Sequence, residues 1–330
     1  MYFCDINVMP TCTVIMHRHS RIGPLKCDKS SFVADKLKPL IESRMTDGKP
    51  THIIHDLAPS FTLSKQIKLS FESKLRNPKF RKVLERFNAK WLNDTRAALE
   101  KADEGKPSKI FSPKFGPEFE LILKLNASNP GSVINHTTPV PLEALIELTR
   151  FRLEMLEGAK WAKGNTKRAV GHIVESQGAL SCCNLIRDVE AIAQIGKLGE
   201  DAILLRGLGH RYLKYLGQTS VPVVPEGYGI EAKPEDRRVF DFADFAEMKD
   251  VRIESETEPV MVSPYEESVS VMCGGNLDVF DLDANALLHM MFIGAVRMNA
   301  DKAFDQEELF RAAYIVAKQD LPKFQREILG

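Results

Sequence analysis

The stretch TPVPLEALIELTRFRLEMLEGAKW, residues 138–161, decides the fold reading, because the texture of the chain changes across it. Its two prolines stand where a helix begins. Leu142, Leu145, Ile146, Leu148, Leu153, Leu156 and Trp161 then recur at helical spacing until Gly164 can end the run. Downstream, Ser181 is placed to cap a helix from Cys182 to Gly196, and Glu200 to Leu216 is expected to form another that ends at Gly217. Residues 139–217 are therefore expected to be a helical block with short connections.

Upstream of residue 138, strand and helix signals alternate. Thr11 to Met16 is rich in β-branched residues, and Phe61, Leu63, Ile67, Leu69 and Phe71 fall on one row of an alternating segment. Phe119, Leu121, Leu123 and Leu125 predict a further strand. Between them Ser31 can start a helix to about Arg44, which Pro39 is expected to kink or split. Asn77-Pro78 opens a stronger one, with Phe80, Val83, Leu84, Phe87 and Trp91 on one face out to about Lys101. Gly105 to Gly116 reads as a loop.

Beyond the helical block, Pro222, Pro225 and Pro234 mark a long loop over 221–238 and a plausible boundary. Short strands are expected at Val251 to Ile253, Val260 to Val262 and Ser268 to Met272. Two helices close the chain, one capped by Asp283 and running from Ala284 to Met298, the other opened by Asp305 and Glu308 before Leu309 to Ala317. The expected class is α+β, in three regions: a basic mixed region (1–138), a helical block (139–217) and an acidic mixed region (218–330).

With 330 residues, 44% hydrophobic and 27% charged, and with 18 Pro and 20 Gly, the composition is that of a globular chain and excludes collagen-like or low-complexity architectures. The longest uncharged apolar stretch, Ala284 to Val296, is interrupted by Asn285 and His289 and falls short of the roughly 18 residues that a membrane span needs. The N-terminus lacks a secretory pattern, so a cytoplasmic location is expected. Six scattered Cys without any Cys-x-x-Cys fit a reducing compartment better than a disulfide framework.

The net charge is zero but unevenly spread. Residues 1–100 hold 18 Lys and Arg against 10 Asp and Glu, whereas residues 231–300 hold 6 against 15. Such polarity suits a polyanion-binding face, or two ends that attract one another within or between subunits. The densest cationic run comprises Lys65, Lys68, Lys79, Arg81, Lys82, Arg86 and Lys90, with Trp91 beside it. Smaller clusters gather Lys160, Trp161, Lys163, Lys167 and Arg168 around Gly164, and Arg211 near Arg206, His210, Tyr212, Lys214 and Tyr215. Phosphate backbones reward such runs by counterion release, and interleaved aromatics can stack unpaired bases. The structural counter-reading is a solvated helix face with its aromatics turned inward.

Cys4, Cys12, His17, His19, Cys27, His52 and His55 crowd the first sixth of the chain. Their spacing is not that of an ordinary zinc module, so buried thiols and ordinary histidines are the simpler reading and no metal site is assigned. His55-Asp56 resembles the metal-binding dipeptide of HD-type phosphohydrolases, and Glu231-Ala232-Lys233 resembles half of a PD-(D/E)xK nuclease site. Asp278, Asp281 and Asp283 form a carboxylate group that a helix cap explains. No Walker loop, dinucleotide fingerprint or Gly-x-Ser-x-Gly occurs. No catalytic residue and no cofactor is therefore assigned.

The expectation is a non-enzymatic protein that binds single-stranded nucleic acid, RNA or DNA, and self-associates, without membrane contact. Two alternatives stay open: a metal-dependent hydrolase or nuclease, and a structural shell or scaffold subunit.

Overall fold

The structure, a computed structural model, describes residues 9–17, 31–57, 77–161, 164–211, 213, 251–259, 262–274, 281–299 and 306–329. Helices and strands are mixed along the chain, as the α+β reading expected. Strands β1 (Thr11–His17), β2 (Thr51–His55), β3 (Val133–Thr137), β4 (Ala202–Gly207) and β5 (Arg252–Thr257) form one sheet in the order β3-β2-β4-β1-β5. Every pairing is parallel, with Val14 opposite Leu204 and Ile54 opposite the same Leu204. All three regions read from the sequence contribute strands to this sheet.

A central parallel strand is covered on both faces and so reads as a continuous apolar run. That is what β4 does: Ala202, Ile203, Leu204 and Leu205 are all buried. The helical pattern expected from Glu200 to Leu216 is overturned here, because the run is short, carries no polar face and is followed at once by Gly207 and Gly209.

On one face of the sheet, Ile15, Ile53, Val133, Ile203 and Leu205 lie under α1 (Phe32–Thr46), the last turns of α2 (Pro78–Asp103), and α3 (Pro117–Ser128). On the other, Val14, Met16, Ile54 and Leu204 meet Leu185, Ile192 and Ile195 of α5 (Thr166–Leu198). The chain steps β1 to β2 to β3 in one direction with its helices on the first face, then returns to β4 through α4 (Leu142–Trp161) and α5 on the second. Reversing direction and changing face together is what right-handed crossovers require.

Several local expectations are corrected. Phe119 to Leu125 is the helix α3 and not a strand: Pro117 occupies its first turn with Glu118 and Glu120, and Ile122, Leu123 and Asn126 are buried at helical spacing. Pro39 sits inside α1 without splitting it. Ser181 lies within α5, which Asn165 caps by accepting from the Arg168 amide at 3.0 Å; the Ser181 hydroxyl donates to Gln177 O instead. Ser268 to Met272 is part of α6 (Pro264–Gly274). In α7 (Leu282–Asn299) the capping carboxylate is that of Asp281 and not Asp283, accepting from the Ala284 amide at 2.8 Å. Helix α7 packs on α8 (Gln306–Ile328) through Phe292, Phe310 and Ala313.

Helix α2 has the expected start, with Asn77 as the cap, accepting from the Lys79 amide at 2.9 Å, but Val83, expected on its apolar face, is exposed. It ends at Gly105, whose φ of +73° is one that glycine adopts without strain. A Cβ there would stand 2.4 Å from the Ala127 backbone, so the same glycine lets α2 and α3 approach closely. The expected strand over Phe61 to Phe71, the loop 221–238 and the Asp305 cap lie outside the described residues. Among the described residues no helix is long and apolar enough to cross a membrane.

Candidate active site

Because the strands are parallel, their carboxyl ends share one edge of the sheet. The next described helices after β1 and β2, α1 and α2, pack on one face of the sheet, while the short 3-10 turn Leu208–His210 after β4 packs against α6 on the opposite face. In open parallel sheets, ligands bind beyond the carboxyl ends where neighbouring strands send their connections to opposite faces, and β4 lies between β1 and β2 at such a place.

Five charged or titratable side chains converge at this place. Arg206 projects from β4 toward α5, and its Nε donates to Asp188 Oδ1 at 2.5 Å. The second oxygen of Asp188 accepts from His210 Nδ1 at 2.6 Å. His210 Nε2 then stands 3.9 Å from Asp56 Oδ2, just beyond β2, and Asp56 is ion-paired with Arg187 of α5. Arg206, Asp188 and His210 side chains are 1, 2 and 5% exposed, and those of Asp56 and Arg187 are 9 and 10% exposed, so all five lie at or near the interior.

The electrostatics follow from that order. With both oxygens occupied by donors, Asp188 orients the imidazole through Nδ1, and Nε2 is turned toward Asp56. Burial opposes the charge on Arg187, but Asp56, with Cys183 and Asp188 near it, outweighs that opposition and raises its pKa. The two arginines and two aspartates sum to no net charge.

The neighbouring histidines play a different part. His52 and His55 lie on opposite faces of β2, so they cannot act together as ligands of one ion. His55 donates from Nε2 to Asn135 Oδ1 at 2.7 Å, Asn135 donates to Asp103 at 2.6 Å, and Phe111 and Phe119 flank the ring. Burial pushes its pKa down to about 4. His52 Nδ1 meets His136 Nε2 at 2.8 Å with the rings stacked. Cys12 lies in the core, where burial pushes its thiol up to about 12, an environment that disfavours the thiolate a metal would need.

Of the cationic residues singled out above, Lys79, Arg81, Lys82, Arg86 and Lys90 are exposed on α2, with Lys90 paired to Asp94 at 2.5 Å. Trp91 is half-buried against the cluster of Leu84, Val140 and Leu145. Lys160 pairs with Glu157, Lys167 and Arg168 are exposed at the start of α5, and Arg211 is half-buried after β4. Lys65, Lys68, Lys163, Cys4, His19, Cys27, Glu231 and Asp278 lie outside the described residues, as does the Trp161 side chain.

Arg187, Asp188 and the catalytic prospects of Arg206 and His210 escaped the sequence reading. Their signal was present: a charged Arg-Asp pair interrupting an otherwise buried helical face, and a buried apolar run ending in Arg-Gly-x-Gly-His. Comparison with protein-family models, curated proteins and solved structures finds no match to the chain.

Proposed function

We propose that the protein is a hydrolase whose general base is His210. The observation that carries this reading is the row Arg206, Asp188, His210, which ends with an imidazole nitrogen 3.9 Å from the Asp56 carboxylate at the carboxyl edge of the sheet. A separation beyond direct hydrogen-bond reach between two proton acceptors suits a water molecule bound between them. His210 Nε2 takes a proton from that water as the water oxygen bonds to the acyl carbon. The imidazolium returns the proton to the leaving alkoxide or amine as the acyl C–O or C–N bond breaks. Asp188 stabilises the resulting imidazolium, and Arg206 keeps Asp188 ionised and oriented. Asp56, anchored by Arg187, orients the water.

The zero net charge of the four paired ions supports an uncharged acyl centre, an ester or amide carbonyl, over a phosphate dianion. Full-length protein is assayed against 4-nitrophenyl acetate and butyrate and against 4-nitrophenyl phosphate. Acyl hydrolysis that falls by about 10³ in His210→Gln, at unchanged circular dichroism, supports the reading. Acyl turnover equal in wild type and His210→Gln defeats it.

The nucleic-acid reading keeps one observation of its own: Lys79, Arg81, Lys82 and Arg86 are exposed on a single helix and make no ion pair among the described residues. In that reading α2 tracks a phosphate backbone, and the protein functions within a larger assembly.

A further inference from the structure

A second cluster of titratable groups lies in the α4–α5 hairpin, apart from the carboxyl edge. Glu154 comes from α4, and His172 and Glu175 stand one turn apart on α5. One oxygen of each carboxylate and Nδ1 of the imidazole all lie within 4.8 Å of one another. His172 Nδ1 is 2.5 Å from Glu154 Oε2 and 3.6 Å from Glu175 Oε2. Two ligands bound at about 2.1 Å to a tetrahedral ion stand roughly 3.4 Å apart, so the spacing is already close to that of a coordination shell. Helix geometry fixes His172 and Glu175 to one face, and the packing of α4 on α5 fixes the third ligand.

Without a cation the arrangement is costly. The Glu154 and Glu175 carboxylates lie within 4.8 Å of one another, and burial, then Glu175 beside it, raises the Glu154 pKa and favours its proton. A divalent ion replaces that proton and satisfies both carboxylates and the imidazole at once.

We propose that Glu154, His172 and Glu175 bind a divalent transition-metal ion of the Zn2+ type, completed by water, which ties α4 to α5. One imidazole with two carboxylates suits a borderline ion with three protein ligands and an open position.

The test uses full-length protein stripped with EDTA and titrated calorimetrically with Zn2+ and, separately, Co2+. One ion per chain is expected, with proton release visible as a dependence of the heat on buffer, and with the visible absorption of four-coordinate Co2+. His172→Gln and Glu175→Gln are each expected to raise Kd at least about tenfold, while His136→Gln leaves it unchanged. Glu175 is exposed, so its variant remains informative if His172→Gln misfolds. Absence of binding, binding unaltered by Glu175→Gln, or binding lost in His136→Gln overturns the assignment.

Discussion

The imidazole of His210 and the carboxylate of Asp188 meet at 2.6 Å across 22 residues of sequence, one on the turn after β4 and the other inside α5. Neither residue sets this contact alone. Arg206, the last charged residue of β4, grips the other oxygen of Asp188 and fixes the plane in which the imidazole must lie. Asp188→Asn keeps the size but lets the amide present a donor to Nδ1, which favours the wrong tautomer. Acyl hydrolysis is expected to fall by about 10² to 10⁴ in kcat with little change in KM, as measured by steady-state kinetics.

Arg206→Met leaves the Asp188 carboxylate buried without its guanidinium. A loss of about 3 to 5 kcal/mol in urea unfolding is expected, because breaking a buried pair is worse than never having one. The double variant Arg206→Met, Asp188→Leu recovers much of the loss. Equal stability of wild type and single variant contradicts the pairing.

Acid lability follows from buried imidazoles. Burial lowers His55 and His289 from 6.5 to about 4. The unfolded chain therefore binds protons that the fold refuses, and stability present above about pH 6.5 declines as pH falls toward 4. Each contributes on the order of 3 kcal/mol across that window. In unfolding curves at pH 7 and pH 4.5, His289→Leu is expected to lose less stability on acidification than wild type.

Two glycines with similar backbone angles are expected to behave differently. Gly199 ends α5 at φ +66° with nothing within 4 Å of the place a methyl group would take, so Gly199→Ala costs about 1 kcal/mol of backbone strain. Gly105→Ala adds a collision with the Ala127 backbone and is expected to cost at least about 3 kcal/mol. Thermal denaturation of the two variants separates strain from collision.

For the nucleic-acid reading, replacing Lys79, Arg81, Lys82 and Arg86 with Gln is expected to weaken binding of labelled single-stranded RNA and to flatten its salt slope. Fluorescence anisotropy between about 50 and about 200 mM salt measures it. An unchanged slope removes α2 from the binding surface.

What the sequence made legible was set by local forces. Asn77-Pro78 and the apolar stripe after it define α2 almost to the residue, because a cap, a first-turn proline and periodicity all act within a few positions. Residues 119–125 and 202–207 were misassigned for complementary reasons. Apolar residues surround most of α3, which blurs its period, and a strand buried on both faces has no polar row to reveal it. The candidate site was invisible as a unit because Asp56, Asp188 and His210 are assembled only by the order of the sheet. Part of the charge asymmetry did resolve within the chain, where Lys36 of α1 meets Glu256 of β5 at 3.0 Å.

Helix α5 runs without interruption for 33 residues, and it carries both His172 and Asp188. Sixteen residues at 1.5 Å each place them about 24 Å apart, and at 3.6 residues per turn they project to nearly opposite sides of the axis. The helix is thus a torsion bar: a rotation that shifts His172 relative to Glu154 swings Asp188 through the same angle against Arg206 and His210.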